Sequence, residues 1–277
     1  MCYQTTLDRK ILCEGIGLHS GKNVSMEILP APEDTGIVFI RTDLPGAPEI
    51  RAVAENVTTT LRATTISSGD VRIFTIEHLL SALHIYSIDN CYVKIDGEEP
   101  PVKDGCAAYF FAALQKAGRK RQQKLRKEII IDKIYRIDDG ERFVVALPYD
   151  GFRISFTSLN EHPLIGIQYA DFMLNESVYA KEIAPARTIA YEKEIEQLRK
   201  MGLGLGGTLE NVIVYNDSGW LNPLRFPDEL VRHKVLDIIG DLRLSGGIVK
   251  GHFIAVKSGH QLNTGLAKMI RRHSQQL

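Results

Sequence analysis

Hydrophobic and polar positions in the first half of the chain predict short strands interrupted by two helices. Residues 36–41, 63–67 and 91–95 are apolar or β-branched runs bounded by turn-forming residues, a pattern typical of strands. Residues 76–85 and 107–117 repeat apolar side chains at helical spacing. These elements follow one another without a regular strand–helix alternation, which indicates the α+β class.

The second half repeats this mixture of strands and helices. Helical patterns cover residues 191–201 and 228–242, and a final helix follows the last strand. The predicted strands are residues 128–136, 142–148, 152–157, 211–215 and 252–257. With several strands and about two helices, each half should bury a hydrophobic core of its own.

Residues 118–127 (GRKRQQKLRK) mark the best boundary between the halves. Six of these ten residues are cationic and only one is a large apolar residue, which favours a solvated linker. We therefore expect one α+β domain at residues 1–120 and a second at residues 128–277. The interface between two such domains is a common place for a ligand site.

Composition excludes several classes of protein. The 277 residues include 34 Lys plus Arg and 34 Asp plus Glu, so the chain lacks the basic excess typical of nucleic-acid binders. No apolar stretch approaches the roughly 18 residues of a membrane span, and the first residues lack a signal-peptide core. The four cysteines show no C-x-x-C spacing, so we expect small hydrophobic thiols in a reducing compartment. These features predict a cytoplasmic protein, and we expect a monomer without nucleic acid or a transmembrane segment.

Residues 232–242 (RHKVLDIIGDL) carry a polar stripe on one face of a predicted helix. His233 and Asp237 are four residues apart, so an imidazole nitrogen and a carboxylate oxygen can reach one metal ion, and Asp241 extends the stripe. Two ligands from one helix, with a third from elsewhere, are common in catalytic zinc sites. The alternative is a surface His–Asp pair that stabilises the helix by roughly 0.3 kcal/mol.

Glu77 and His78 adjoin each other at the start of another predicted helix, for which Thr75 is the expected N-cap. If His78 binds a metal ion, Glu77 is close enough to accept a proton from a water at that ion. The alternative is a first-turn glutamate favoured by the helix dipole, beside a partly buried histidine.

His260 follows Gly259 in a loop after the last predicted strand. A histidine there could protonate a leaving group or stabilise an oxyanion, and the alternative is a loop histidine without a chemical role. Two glycine-rich segments, residues 15–22 (GIGLHSGK) and 202–207 (GLGLGG), lack the spacing of a P-loop and the context of a dinucleotide fingerprint. We expect their glycines to allow tight turns or a close approach of backbone to a ligand.

Five segments occur in the order of one enzyme family: EHLLSAL, ARTIAY, GLGLGG, VRHKVLDIIGDL and SGHQLN. On these segments the chain resembles UDP-3-O-acyl-N-acetylglucosamine deacetylase, the zinc-dependent hydrolase of early lipid A and lipopolysaccharide synthesis in Gram-negative bacteria. The likeness runs along essentially the whole chain. It implies two α+β domains, each a helix pair layered on a β-sheet, with the active site between them and a small βαβ insertion in the second.

The resemblance also implies roles for the candidate residues. It implies one Zn²⁺ per chain, or Fe²⁺ in the cell, held by His78, His233 and Asp237. Glu77 would be the general base that activates a water, and His260 would stabilise the oxyanion or protonate the leaving amine. Asp241 would orient His260 and favour its charged form.

Substrate contacts follow from the same resemblance. Thr188 matches a threonine that donates a hydrogen bond to the oxyanion, Lys234 matches a substrate-contacting lysine, and His19 matches a histidine on the substrate side of the site. An apolar channel for the acyl chain would come from the insertion at about residues 187–215. The family usually has Phe where this chain has Ile189, a further substrate-binding residue. The other predicted substrate-binding residues are Leu198, Leu203 and Gly206.

The implied reaction is hydrolysis of the N-acetyl group of UDP-3-O-(3-hydroxyacyl)-N-acetylglucosamine, which releases acetate. Two alternatives remain: a zinc amidohydrolase acting on another acylated amino sugar, and a non-catalytic zinc-binding relative. A short-chain substrate would not need the apolar insertion, and a silent relative should have lost Glu77, His260 or Asp241, all of which are present. Proton transfer by Glu77 alone and by a Glu77–His260 pair both predict a bell-shaped pH profile.

Overall fold

The helices lie close to where the apolar periodicity places them. In this computed structural model, which describes residues 2–163 and 165–276, there are six: α1 (Glu77–Ile85), α2 (Ala108–Ala117), α3 (Glu176–Val178), α4 (Glu192–Lys200), α5 (Glu229–Arg243) and α6 (His260–Ser274). The four helices predicted with bounds agree within one residue at each end. α2 stops at Gly118, whose φ of 80° ends the helical backbone. No helix in this part of the chain is both long and apolar enough to cross a membrane.

Strands of the first half form three sheets. They are β1 (Tyr3–Leu7), β2 (Ile11–Ile16), β3 (Asn23–Pro30), β4 (Ile37–Arg41), β5 (Glu49–Arg51), β6 (Val57–Thr59), β7 (Thr65–Ser68), β8 (Val71–Ile73), β9 (Cys91–Ile95) and β10 (Arg119–Leu125). The largest sheet has the order β2-β3-β9-β4-β5, with β4 parallel to β9 and the other pairs antiparallel. An antiparallel β6-β7-β8 sheet and the β1-β10 ribbon stand beside it.

Strands of the second half form a six-stranded sheet and a smaller one. They are β11 (Ile129–Ile130), β12 (Tyr135–Asp139), β13 (Arg142–Leu147), β14 (Phe152–Leu159), β15 (Ile167–Met173), β16 (Ile189–Tyr191), β17 (Ile213–Asn216), β18 (Gly219–Trp220) and β19 (Val249–Val256). The large sheet has the order β12-β13-β19-β14-β15, and β11 also pairs with β19. α5 packs on β14 and β15 of this sheet, and α6 packs on β12 and β13. The predicted α+β class is confirmed.

The cationic segment at residues 118–127 is not an irregular linker. It contains β10, which pairs antiparallel with β1 and places Leu7 opposite Arg119. The side chains of β10 are almost all exposed, so the strand depends on backbone hydrogen bonds and carries no burial pattern that the sequence could reveal. The predicted strand at 128–136 is likewise divided into β11 and β12. The division into domains at residues 1–120 and 128–277 stays a prediction.

α1 and α5 lie against each other where the two halves of the chain meet. A Cβ on Gly240 of α5 would lie 2.1 Å from the carbonyl oxygen of Glu77 in α1, so the helices approach as closely as they do because this residue is glycine. Buried apolar side chains of both halves form one continuous cluster around these helices. The expectation of a separate core in each half is therefore wrong, because the helix contact joins the two.

The predicted βαβ insertion is present within the second half. β16 and β17 pair in parallel, with Ile189 opposite Ile213, and α4 lies between them in the chain. A parallel pair needs such a crossover connection. β18 adds a third strand, antiparallel to β17.

Candidate metal centre and active site

A cavity of about 480 Å³ opens where the first half meets α5 and the insertion. The first half contributes loop residues around His19 and the start of α1, and the second half contributes α5, the insertion and the start of α6. The predicted site residues that line it are His19, Glu77, His78, Thr188, Ile189, Leu198, Leu203, His233, Lys234, Asp237 and His260. Residues separated by more than 180 positions in the sequence thus face one space.

Three of these residues form a compact set of metal-ligand atoms. One side-chain nitrogen or oxygen from each of His78, His233 and Asp237 lies within 4.8 Å of the others. One turn of α5 separates His233 and Asp237, whose Nε2 and Oδ1 atoms are 3.3 Å apart. His78 comes from α1, and its ring stands nearly perpendicular to that of His233, with 5.0 Å between ring centroids. The close contact of α1 with α5 at Gly240 is what brings the third ligand to the other two.

The charge states of this set suit a divalent metal ion. Burial, reinforced by the neighbouring His233, lowers the pKa of His78 to about 3, so this imidazole is neutral near pH 7. Burial also lowers the pKa of His233, whose Nδ1 lies 3.0 Å from the carbonyl oxygen of Ala186, leaving Nε2 for a ligand. Burial raises the pKa of Asp237, but Lys234 and His233 outweigh it and hold the pKa below its usual range. Two neutral imidazoles and one carboxylate fit Zn²⁺ and also Fe²⁺.

Glu77 lies beside this set without belonging to it. Its Oε2 accepts a hydrogen bond of 3.1 Å from the backbone N–H of Thr64, and its Oε1 lies 3.8 Å from Nε2 of His260. Burial raises the pKa of Glu77 to about 7, against the lowering effect of His260. A carboxylate with a pKa near neutrality can both accept and return a proton. Thr75 is not the N-cap of α1, because the helix begins after Ile76 without a side-chain cap.

The imidazole of His260 is hydrogen-bonded to the buried carboxylate of Asp241. Its Nδ1 lies 2.9 Å from Oδ2 of Asp241. The same oxygen accepts a hydrogen bond of 2.9 Å from the side-chain amide of Asn263. The other oxygen, Oδ1, accepts a hydrogen bond of 2.6 Å from the hydroxyl of Thr64. Burial alone would lower the pKa of His260, but Asp241 and Glu77 outweigh it and raise the pKa to about 10. The imidazole is therefore a cation near pH 7, with Nε2 facing Glu77.

Thr64 and Asn263 were not assigned roles from the sequence. Asn263 stands three residues after His260 in the SGHQLN segment, so both lie on one face of α6. The three-residue spacing from His260 could therefore have indicated Asn263 from the sequence. Thr64 comes from an unrelated loop, and nothing in its local sequence indicates a contact with Asp241.

Lys234 of α5 and Thr188, just before β16, both line the cavity. The Nζ of Lys234 donates a hydrogen bond of 2.9 Å to Oδ2 of Asp237. Burial lowers the pKa of Lys234, but Asp237 outweighs it, so the ammonium stays charged. The segment carrying Thr188 is fixed by its neighbour Arg187, which forms a buried ion pair of 3.0 Å with Glu229 at the start of α5.

The insertion supplies an apolar wall of the cavity. The apolar residues that line it are Ile189, Ile195, Leu198, Leu203, Val212 and Val214. Met201 and Leu205, which belong to the same apolar run, are 52% and 53% exposed and lie outside the lining. Gly206 does not reach the cavity either: its N–H donates to the carbonyl of Leu18, and a Cβ there would lie 2.2 Å from the carbonyl oxygen of Gly17. Its neighbours Gly204 and Gly207 line the cavity instead.

Comparison with known proteins identifies the family of the chain. The sequence model of the LpxC family, described as UDP-3-O-acyl N-acetylglycosamine deacetylase, matches residues 4–272. The chain belongs to the LpxC family. Proteins named UDP-3-O-acyl-N-acetylglucosamine deacetylase from Anaeromyxobacter dehalogenans and Syntrophotalea carbinolica are each 44% identical to it, over 96% and 98% of this chain and 87% and 88% of their own lengths. The Myxococcus xanthus protein of that name is 45% identical over 96% of this chain and 86% of its own.

Membership of the LpxC family confirms the resemblance drawn from the five sequence segments. It makes the chain an enzyme, a hydrolase of the class that cleaves amide bonds. Within this family the three-residue ligand set at the cavity is the candidate metal site. The cysteines play no part in it: Cys13, Cys91 and Cys106 are buried as expected, whereas Cys2 is exposed.

Proposed function

We propose that this LpxC-family chain hydrolyses the N-acetyl group of UDP-3-O-(3-hydroxyacyl)-N-acetylglucosamine. The products are acetate and UDP-3-O-acyl-glucosamine, and the step commits the sugar to lipid A biosynthesis. The observation that carries this proposal is the meeting of His78, His233 and Asp237 with Glu77 and His260 in one cavity with an apolar wall. Relatives 44% identical carry the name of this deacetylase.

The metal ion would be held by His78, His233 and Asp237, one ion per chain. Zn²⁺ fits this donor set, and Fe²⁺ is the alternative in the cell. Such an ion supplies Lewis acidity, which polarises an amide carbonyl and makes water a stronger acid. The hydrogen bond between His233 and Ala186 fixes the tautomer of that ligand, and Lys234 keeps Asp237 ionised.

Glu77 is the proposed general base. Its carboxylate lies within the cavity, outside the ligand set, and its pKa of about 7 lets it take a proton from an attacking water. The N–H of Thr64 fixes one oxygen of Glu77 and leaves the other facing His260. An amide is a poor electrophile, so a base positioned in this way should contribute about 10²–10⁴ to the rate.

His260 is proposed to stabilise negative charge and to donate a proton. Asp241 holds its Nδ1 and favours the imidazolium, so Nε2–H points into the cavity. The developing oxyanion receives a hydrogen bond from His260 or from the hydroxyl of Thr188. His260 or the protonated Glu77 then delivers a proton to the departing amine, so a single base and an acid–base pair both stay open.

The substrate is bound through the two walls of the cavity. The apolar side chains of the insertion, among them Ile189, Leu198 and Leu203, form the channel for the 3-O-acyl chain. Lys234 and His19 contact the polar part of the substrate from the other side. Cytoplasmic location, a monomeric state and the absence of a nucleic-acid partner stay predictions.

The test measures acetate release from UDP-3-O-(3-hydroxyacyl)-N-acetylglucosamine by purified protein before chelation, after chelation and after metal repletion. We expect activity to disappear on chelation and to return with about one equivalent of Zn²⁺ or Fe²⁺. A parallel assay uses the same UDP-sugar with a short acyl group. Equal turnover of the short-acyl compound would favour another acylated amino sugar as substrate, and folded protein inactive in every metal state would contradict the proposal.

A further inference from the structure

Glu99 is a buried carboxylate outside the reaction machinery. It follows β9 in the chain and is 1% exposed. Oε1 accepts hydrogen bonds from the backbone N–H of His19 (3.0 Å) and from the hydroxyl of Thr75 (2.8 Å). Oε2 accepts from the N–H groups of His19 (3.0 Å) and Ser20 (2.9 Å). Within the described residues no cation lies within ion-pair distance of it, and these hydrogen bonds offset the loss of hydration.

The first segment that Glu99 holds is the loop at residues 17–22, here called the anchor loop. This loop closes on itself through hydrogen bonds from Gly17 N–H to Lys22 O and from Gly21 N–H to Gly17 O. A Cβ on Gly17 would lie 2.3 Å from Oε2 of Glu99, so the backbone wraps directly around the carboxylate. The anchor loop carries His19, which lines the cavity.

The anchor loop in turn fixes the glycine-rich segment of the insertion. Leu205 N–H donates to His19 O at 3.2 Å, and Gly206 N–H donates to Leu18 O at 3.0 Å. Gly204 N–H lies 3.2 Å from Nδ1 of His19. One carboxylate therefore determines where a loop of the first half meets the channel-forming insertion of the second.

The second segment that Glu99 holds leads into the general base. Thr75 stands two residues before Glu77 and has a φ of 57°, a left-handed backbone that a β-branched residue adopts only under strain. Its hydroxyl donates to Glu99, and the preceding Phe74 N–H donates to the carbonyl of Glu98 at 2.9 Å. Release of this hydroxyl would let the backbone relax and would shift Glu77 relative to the metal ligands.

We propose that Glu99 is a positioning residue that sets the anchor loop and the Thr75–Glu77 segment in register with each other. It touches neither substrate nor reacting atoms. The anchor-loop contacts act on substrate binding and therefore on KM, while the contact with Thr75 acts on the base and therefore on kcat. This inference rests on the proposed deacetylase function.

The test uses the zinc-loaded enzyme and separates the effect of Glu99 through Thr75 from its effect through the anchor loop. Thr75→Val keeps the shape of the side chain but removes the hydroxyl, so we expect kcat to fall about tenfold with KM within twofold of the unchanged enzyme. Thr75→Ser restores the hydroxyl and should recover most of kcat. Glu99→Gln loses acceptor capacity towards both segments, so its KM should also rise about tenfold. Glu98→Gln, at a partly exposed carboxylate paired with Arg72, is the matched control and should keep both constants.

Metal content and the fraction of folded protein are measured for every variant. If Glu99→Gln does not fold, the comparison of Thr75→Val with Thr75→Ser decides. Unchanged kcat per folded enzyme in Thr75→Val, or an equal loss in Thr75→Ser, would overturn the inference. If the wild-type enzyme itself is inactive, the proposed function is overturned instead, so the two failures are distinguishable.

Discussion

The helix pair α1–α5 and the helix α4 form two sides of the same cavity but differ in how they are held. All nine residues of α1 and thirteen of the fifteen residues of α5 are buried, whereas α4 has no buried residue. Groups that must keep fixed distances, the ligand set and Glu77, stand on the buried pair. Groups that need only present an apolar surface, such as Leu198, stand on the exposed helix. Exposed elements with few buried contacts open locally at low free energy, so under the proposed function the chemistry and the acyl-chain preference would rest on parts of different rigidity.

The ionic interactions of the two sides differ in the same way. In the α1–α5 region a buried charge can meet several partners, as Asp241 does: it accepts from Thr64, His260 and Asn263. Around α4 the ion pairs are exposed, as between Lys200 and Glu196, and such pairs contribute little to stability. Substitutions should therefore have large effects in the first region and small, substrate-dependent effects in the second.

The largest effect is expected at Glu77. Glu77→Ala should keep the metal at the stoichiometry of the unchanged enzyme, because Glu77 is outside the ligand set, and should lose about a thousandfold in kcat. Glu77→Gln can still accept the hydrogen bond from Thr64 but cannot take a proton, so it should be equally slow. Metal analysis and acetate release check both variants. Turnover like that of the unchanged enzyme in either variant would refute the general-base assignment.

The next effect is on acid stability and concerns His84 of α1, which packs 4.8 Å from the ring of Phe152. Burial, aided by Arg243 and Arg126, lowers the pKa of His84 to about 3. Between that value and about 6.5 the unfolded chain binds a proton that the folded chain does not, so stability falls as pH drops through this window. At pH 5 the lowered pKa of His84 reduces the free energy of unfolding by about 2 kcal/mol. Urea unfolding measures this effect: between pH 7 and pH 5 the free energy of unfolding should fall less in His84→Gln than in the wild-type protein. In His273→Gln, at the partly exposed end of α6, it should fall as much as in the wild-type protein.

A smaller effect is expected at Thr64, whose hydroxyl donates a hydrogen bond of 2.6 Å to Oδ1 of Asp241. Thr64→Val should lower kcat about tenfold with KM unchanged, because Asp241 then holds His260 less firmly. Thr64→Ser keeps the hydroxyl and should stay close to the unchanged enzyme in steady-state assays. Equal losses in both variants would mean that shape, not the hydrogen bond, is what Thr64 contributes.

The smallest effect is expected on α4. Leu198→Ala shortens a side chain that lines the cavity and should raise KM for the long-acyl substrate about fivefold, equivalent to about 1 kcal/mol of apolar contact. The KM for a short-acyl analogue should not change. Met201→Ala, at an exposed residue just beyond α4, is the matched control. A rise in KM for both substrates in Leu198→Ala would contradict its place in the acyl channel.

Much of this arrangement could be predicted where a repeating pattern exists. The bounds of α1, α2, α4 and α5 follow from apolar side chains that recur at helical spacing. The family resemblance supplied the ligand set and Glu77, and the structure brings all four residues to one cavity.

What could not be predicted depends on contacts between distant segments. β10 is a strand despite six charges in the surrounding ten residues, because its backbone pairs with β1 while most of its side chains stay exposed. Thr64 and Glu99 act through hydrogen bonds to residues 177 and 80 positions away, which no local pattern encodes. Gly206 was expected at the substrate, but its missing side chain serves contact with Gly17 instead.

The central position of β19 in its sheet has a consequence for the order of assembly. β11, β13 and β14 all pair with this strand, which is the last one in the chain. During synthesis those earlier strands leave the ribosome with open hydrogen-bonding edges, and pairings across such sequence distances form late. His260 emerges later still. The nascent chain therefore keeps unpaired strand edges until β19 has been synthesised, and the site cannot assemble before His260 is present.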